Sequence, residues 1–118
     1  MIRLLAFFLI FLPVQGVSQR ASETSTAEMR WLDRTTGELQ TFILSVEEPV
    51  TIGPIDIHLH SCRYPLEKIG LDAFALLSIY WAKGKAQLFN GWMVASSPAL
   101  NALEHPRYDV WVLRCKIP

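Results

Sequence analysis

The residues best suited to chemistry lie between Ser96 and Asp109. Ser96 and Ser97 stand at a predicted helix start, where backbone N–H groups could stabilise an oxyanion, and His105 and Asp109 follow shortly after. A serine hydrolase needs a hydroxyl, a base and an orienting carboxylate that converge in space. The glycine-flanked turn around a nucleophilic serine is missing from this sequence, and helix capping explains Ser97 without chemistry. Hydrolysis by Ser96, His105 and Asp109 is therefore the alternative rather than the favoured interpretation.

A second group of candidate residues alternates along one predicted strand. Asp56, His58, His60 and Cys62 share one face if that strand is regular. Two histidines in this arrangement could bind one zinc or copper ion, with His105 as a third ligand brought in by the fold. The other interpretation is a solvated strand face with the cysteine in a disulfide. Since no other residue pattern supports a metal, we expect no metal and no cofactor, and His58 and His60 remain weak metal candidates.

The chain has two cysteines, Cys62 and Cys115. In an exported domain the simplest interpretation is one disulfide, which would stabilise the fold by roughly 4 kcal/mol in the chain-entropy model. The competing interpretation is a free thiol for metal binding or catalysis. No base or resolving cysteine accompanies either residue in sequence, so the disulfide is favoured.

Four tryptophans could form a stacking surface for a sugar or a partner protein. Trp92 and Trp111 lie within apolar strands, and we expect both to be buried. Trp31 and Trp81 lie next to charged or turn residues. They are the better candidates for exposed binding residues.

The N-terminus has the pattern of a secretory signal. Arg3 precedes the apolar run Leu4 to Leu12, which ends at Pro13, and such a run is shorter than the roughly 20 residues that span a bilayer. Small residues favour cleavage after Gly16 or after Ser18. An uncleaved N-terminal anchor is the alternative. We expect a periplasmic or secreted protein with no transmembrane segment in its mature part.

Composition and length predict one domain. Residues 1–18 are the expected signal peptide, the polar residues 19–26 a flexible lead-in, and residues 27–118 a single β-domain. The chain has 11 Lys and Arg against 11 Asp and Glu and no basic stripe, so nucleic acid is not an expected partner. Because the sequence ends shortly after Cys115, we expect no further function in a C-terminal tail.

Short apolar or alternating runs separated by turn residues predict an all-β fold. Two hairpins are expected, one turning at 35–38 and one at 83–85, and Gly53 and Pro54 bend the strand that leads to Cys62. The predicted strands are 29–32, 39–46, 50–52, 55–64, 73–81, 87–94 and 108–114. Six or seven strands favour a small antiparallel β-sandwich or barrel-like domain.

One short helix is expected before the last strand. Ser97 suits the N-cap and Pro98 the first helical position, Leu100 and Leu103 fall on one face, and Pro106 ends the element. The connection could act as a lid or binding loop. A crossover that closes the end of the sandwich is favoured, because both leucines have the spacing of core anchors.

Several of these segments resemble a known family. The run GWMVASSPAL at 91–100, the run HPRYDVWV at 105–112 and Cys115 are similar to the signature of small exported alphaproteobacterial proteins known only as a domain of unknown function. Further matches occur at 30–33, 36–37, 62–65 and 72–74, so the similarity covers nearly all of the mature chain. The resemblance implies no activity and no site residues. His58 and His60 fall outside its pattern, which weakens the metal hypothesis further.

The sequence thus favours a non-catalytic, exported binding domain over an enzyme. Its partner would be an unknown envelope protein or ligand, bound by a sheet face or by the connection at 96–106. The alternative is a small metal-dependent or hydrolytic enzyme that uses His58 and His60, or Ser96, His105 and Asp109.

Overall fold

The structure is a computed structural model that describes residues 9–13, 20–68, 70–82 and 85–117. This part of the chain contains eight strands and two single-turn 3-10 helices, so the predicted all-β class is confirmed. The strands are β1 (Ala21–Thr24), β2 (Thr26–Asp33), β3 (Leu39–Ser45), β4 (Val50–Ile52), β5 (Ile55–Pro65), β6 (Phe74–Trp81), β7 (Ala86–Val94) and β8 (Tyr108–Cys115). The 3-10 helices are Leu66–Lys68 and Pro98–Leu100. No helix in the described ranges has the length and apolar character needed to cross a membrane.

The strands form two antiparallel sheets. The first sheet has the order β1-β5-β6-β7, with β4 also paired to β5, and the second has the order β3-β2-β8. Strand β2 shows why this sandwich forms: Ala27, Met29 and Trp31 alternate with less buried neighbours and point into the core between the sheets. The β2–β3 hairpin turns through Gly37, whose φ of 76° suits glycine. The predicted β6–β7 hairpin also forms, although residues 83 and 84 of its turn lie outside the described residues.

A β-bulge at His60 changes which residues of β5 share a face. Leu59 pairs with Leu77, but Ser61 pairs with Leu76, so His60 is the extra residue. A bulge inserts one residue and reverses the alternation beyond it. His58 and His60 therefore stay on the outer side, whereas Cys62 is buried in the core. The expected common face of Asp56, His58, His60 and Cys62 is wrong for Cys62, because the strand is not regular.

The predicted disulfide between Cys62 and Cys115 is present. Cys62 lies on β5 of the first sheet and Cys115 at the end of β8 in the second, with their Cα atoms 5.7 Å apart. Both residues are buried. The covalent bond therefore joins the two sheets across the core.

The polar segment before β2 differs from its predicted form. Ala21–Thr24, which lies within the expected flexible lead-in, forms β1 and pairs with β5 from Thr24 opposite Cys62 to Ala21 opposite Pro65. Strand pairing uses backbone groups, so small polar side chains do not prevent it. The expected signal cleavage points after Gly16 and Ser18 lie outside the described residues.

The short helix before β8 is present but tighter than expected. Pro98–Leu100 is a 3-10 turn, and the Ser97 side chain makes no capping hydrogen bond. Leu100 is 76% exposed while Leu103 is buried, so Leu100 is not a core anchor. The reason is that the chain is already extended at Asn101, with φ −148°, which removes the common helical face on which the leucine prediction depended.

Candidate functional site

The three residues of the predicted hydrolase do not converge. The Ser96 hydroxyl donates to Asp72 Oδ2 at 2.9 Å, and the Ser96 backbone N–H donates to Asp72 Oδ1 at 3.0 Å. Asp109 instead accepts a hydrogen bond from Arg34 Nη2 at 3.1 Å. Each group therefore has a different structural partner, and the serine is held to the segment before β6 rather than beside a base.

His105 has a structural role at the start of β8. Its Nδ1 atom accepts hydrogen bonds from the backbone N–H groups of Arg107 at 3.1 Å and Tyr108 at 3.2 Å. Its ring stacks on Trp81, with the ring centroids 5.2 Å apart and the planes at 17°. In this arrangement Nδ1 is occupied as an acceptor and is not directed at Ser96.

An ion pair that the sequence analysis missed connects the β2–β3 turn to the segment before β8. Arg107 donates through Nε to Asp33 Oδ1 at 3.1 Å and through Nη2 to Asp33 Oδ2 at 3.0 Å. Asp33 Oδ1 also accepts the backbone N–H of Thr35 at 2.9 Å. The Arg107 hydrogen bond, with help from the backbone donors, lowers the pKa of the buried Asp33 carboxyl to about 2, against the opposing effect of burial. Asp33 and Arg107 lie in two of the segments that resemble the known family, 30–33 and 105–112. This is the sequence signal that could have pointed to the pair.

The aromatic residues near this ion pair form one cluster, which corrects the expected exposure of Trp31. Trp31 is only 3% exposed and stacks on Tyr108 at 5.6 Å, and its Nε1 atom has no hydrogen-bond partner among the described residues. Trp81 is partly buried, between His105 and Tyr108. The Arg107 guanidinium lies 5.2 Å from the Tyr108 ring centre. An inward position on β2 places Trp31 in the core despite its charged neighbours.

Trp92 and Trp111 were expected to be buried, but both are only partly buried. Their neighbours explain this: Met93 on β7 and Val110 and Val112 on β8 take the inward positions, and alternation turns the tryptophans outward. The Arg63 guanidinium lies 5.1 Å from the Trp92 ring centre.

An open groove runs between β8 and the connection that follows β7. Its volume is about 400 Å³. The charged pair Arg34 and Asp109 lies on its wall with the Trp111 side chain, while small apolar residues of the connection form the other wall. The lining residues are Arg34, Pro98, Ala99, Ala102, Asp109, Val110 and Trp111.

The two strand histidines are engaged separately. His60 Nε2 lies 2.7 Å from the Ser78 hydroxyl, and that hydroxyl donates to Asn90 Oδ1 at 3.0 Å. His58 makes an edge-on contact with Tyr80 at 5.3 Å. No three His, Cys, Asp or Glu side chains in the described part of the chain are grouped so as to hold a metal ion. His105 lies in the cluster with Trp81 and is not placed as a third ligand for this pair.

Comparison with known proteins places the chain in a family without supplying an activity. Residues 27–115 match a family model described as "Uncharacterized protein conserved in bacteria (DUF2155)". The chain is also 33% identical over 87 residues to the uncharacterized protein RP359 of Rickettsia prowazekii (strain Madrid E), an alignment that covers 71% of this chain and 56% of the relative. The chain therefore spans little more than half the length of that relative. No solved structure matches it significantly. The matched region runs from β2 to the end of β8. The chain therefore belongs to the DUF2155 family of proteins conserved in bacteria.

Proposed function

We propose that this chain is an exported protein of the bacterial cell envelope whose mature part is a non-catalytic binding domain. Export is supported by the signal-like residues 1–18 and by the buried Cys62–Cys115 disulfide, since such bonds persist in oxidising compartments. The proposed location is the periplasm or the exterior. The proposal also keeps the alphaproteobacterial distribution that the sequence resemblance implied.

The proposed order along the chain is a signal peptide at 1–18, a lead-in at 19–26 and one β-domain at 27–118. Because Ala21–Thr24 pairs with β5, we expect that part of the lead-in to be ordered with the domain after cleavage.

The groove beside β8 is the observation that carries the binding proposal. It combines a partly exposed tryptophan, Trp111, with apolar walls and one charged pair, Arg34 and Asp109. An apolar concave surface with a few polar groups is typical of binding sites. The Ser96–Pro106 connection forms one wall, which agrees with its predicted role as a binding surface. Trp81 remains a second candidate, through the part of its ring that is not covered.

The enzymatic alternative has less support. The Ser96 hydroxyl, His105 Nδ1 and the Asp109 carboxylate each bond a different structural partner. A catalytic triad needs these three groups within hydrogen-bond reach of one another. A binding role places no such requirement on them.

Export is tested by expressing the full chain with a C-terminal tag in a bacterial host and measuring the mass of the periplasmic product. We expect cleavage after Gly16 or Ser18 and one intact disulfide. Leu9→Arg should block export by breaking the apolar run, whereas the matched Leu9→Val should not. A full-length product that stays inside the cell would contradict the export proposal.

Binding is tested by affinity capture of the tagged mature protein from the periplasm under oxidising conditions, followed by mass spectrometry. We expect an envelope component whose recovery falls at least tenfold in Trp111→Ala. Leu113→Ala, a change at a partly buried leucine of the same strand, is the matched control and should leave recovery unchanged. Capture of nothing but the protein itself would contradict the binding proposal.

A further inference from the structure

Strand β3 forms an uncovered edge of the second sheet. It pairs with β2 on one side, and within the described residues no strand pairs with its other side. Its sequence, LQTFILS, contains no charge, proline or glycine. Leu39 is 53% exposed and Ile43 is 45% exposed. Proteins usually protect such an edge with charge, proline, a bulge or a covering segment, because its backbone groups can pair with another strand.

The hydrogen bonds at the two ends of the β2–β3 ladder determine which backbone groups face outward. Asp33 N–H donates to Glu38 C=O at 2.9 Å, and Val46 N–H donates to Ser25 C=O at 2.9 Å. With the observed register, both bonds require that Leu39, Thr41 and Ile43 occupy the non-hydrogen-bonded positions opposite β2. Their N–H and C=O groups therefore point away from β2, towards the open edge.

The three residues with outward backbone groups form a self-complementary set. A two-fold axis through Thr41 would place Leu39 opposite Ile43 of the partner subunit and Thr41 opposite itself. All three pairs would be hydrogen-bonded pairs, which gives about six backbone bonds across the axis. The same register aligns two apolar Leu–Ile pairs on the outer face of the sheet, and such cross-strand pairs are stabilising.

We propose that two copies of this chain associate through β3, antiparallel and centred on Thr41. The second sheets then continue across the axis in the order β8-β2-β3-β3-β2-β8. A second copy fits this edge because an axis at Thr41 pairs all three residues with outward backbone groups and sets Leu39 against Ile43 on both sides. The symmetry closes the pair, so both β3 edges become covered and no further copies add there.

The interface is the edge of one strand, so we expect a concentration-dependent dimer rather than a permanent one. Sedimentation of the mature, disulfide-bonded protein over a wide concentration range should show a monomer–dimer equilibrium. Ile43→Lys should weaken dimerisation at least tenfold, because the ammonium group would lie against Leu39 of the partner subunit. Leu100→Lys changes a leucine that is exposed elsewhere and should leave the equilibrium unchanged.

A cross-linking variant tests the register. In a hydrogen-bonded antiparallel pair, Cα atoms are about 5.5 Å apart, within disulfide range. Thr41→Cys, whose thiol would be the only free one, should therefore form an intermolecular disulfide under mild oxidation. Ile43→Cys should not, because its copies would lie about 13 Å apart along the strands.

Three results would overturn the proposal: a wild-type protein that stays monomeric at every concentration, a dimer that persists in Ile43→Lys, or cross-linking at 43 rather than 41. A monomer whose Thr41→Cys thiol cross-links to a different envelope protein would assign the edge to that partner instead. A wild-type protein that captures no envelope component but still dimerises through β3 would contradict the proposed function and leave the β3 pairing intact.

Discussion

The two edge strands of the second sheet, β8 and β3, differ in whether another part of the chain lies beside them. Along β8, the connection before the strand runs beside the edge, and Asp109, Val110 and Trp111 line the groove between the two. Along β3, Leu39 and Ile43 are half exposed, and no described strand lies on the side away from β2. We call the β8 edge closed because the connection before β8 lies beside it, apart from the groove of the proposed binding site, and the β3 edge open because no described strand pairs with its outer side.

The closed edge is held at both ends of β8. At its start, Arg107 binds Asp33 and His105 accepts the Tyr108 N–H; at its end, Cys115 is bonded to Cys62. Among the described residues, no ion pair or disulfide holds the ends of β3, which runs between the Gly37 turn and a bridge from Ser45 to Glu48. His105 and the two cysteines, which first suggested chemistry, therefore help to hold β8 in place, and the apolar strand β3 offers a second surface for association beside the groove.

The largest expected effect comes from removing the disulfide at the closed edge. Cys62→Ser with Cys115→Ser should lower the free energy of unfolding by roughly 4 kcal/mol, because a loop of 53 residues is no longer closed in the unfolded chain. Urea denaturation measures the change, and the reduced wild type is the matched comparison. A loss below about 1 kcal/mol would show that the disulfide does not determine the stability of this edge.

Removing the ion pair at the start of β8 should have a smaller, pH-dependent effect. The folded-state pKa of Asp33 is about 2, below the ordinary value of 3.8. The stabilisation is therefore complete above about pH 4 and is lost as the pH falls through about 2. Asp33→Asn should be less stable than wild type at pH 6, and most of the difference should be lost by about pH 2.

This prediction is checked by measuring the urea midpoints of wild type and Asp33→Asn at several pH values from 6 to 2. Asp109→Asn, which removes the carboxylate of a more exposed ion pair, is the control and should change stability less at pH 6. A constant difference between Asp33→Asn and wild type from pH 6 to pH 2 would contradict the role of the ionised pair.

Removing the imidazole that accepts the Tyr108 N–H should have a still smaller effect. His105→Ala should destabilise the protein by about 1 kcal/mol, since the Arg107 and Tyr108 N–H groups lose their acceptor. His105→Asn keeps a short acceptor and should recover part of the loss. Equal stability of His105→Ala and wild type would mean that these hydrogen bonds do not hold the start of β8.

At the open edge, a substitution should hardly change the stability of the monomer. Ile43→Lys, measured at a concentration below dimerisation, should change the free energy of unfolding by less than about 0.5 kcal/mol, as is usual for an exposed position. The corresponding change on the closed edge, Val110→Lys, should destabilise strongly because it buries a charge. A strong destabilisation of the monomer by Ile43→Lys would show that Ile43 is packed within the fold rather than exposed at an open edge.

The sequence predicted the repeating features of this fold better than its irregular ones. Periodicity and turn residues predict the strands, and two cysteines in a chain with a signal-like N-terminus predict the disulfide. The bulge at His60 is not visible in the sequence, because it depends on how β5 pairs with β6. Trp31 beside Arg30 suggested exposure, yet alternation along β2 turns it inward.

The contacts of the candidate site were likewise not predictable from the sequence. Ser96, His105 and Asp109 lie close together in sequence, but Ser96 bonds Asp72 and Asp109 bonds Arg34, both from distant segments. The His105 imidazole instead accepts hydrogen bonds from its near neighbours Arg107 and Tyr108. Only the register of the sheets brings these pairs together. The open β3 edge likewise depends on strand order, which short sequence patterns do not specify.

Amide hydrogen exchange at two protein concentrations tests the distinction between the edges most directly. In dilute protein, the Thr41 N–H should exchange rapidly, while those of Gln40, Phe42 and Tyr108 are protected. At high concentration the Thr41 N–H should become protected as well, because it then bonds the second copy. A Thr41 amide that exchanges equally fast at both concentrations, or a Tyr108 amide as exposed as Thr41, would contradict a sheet with one closed edge and one self-pairing edge.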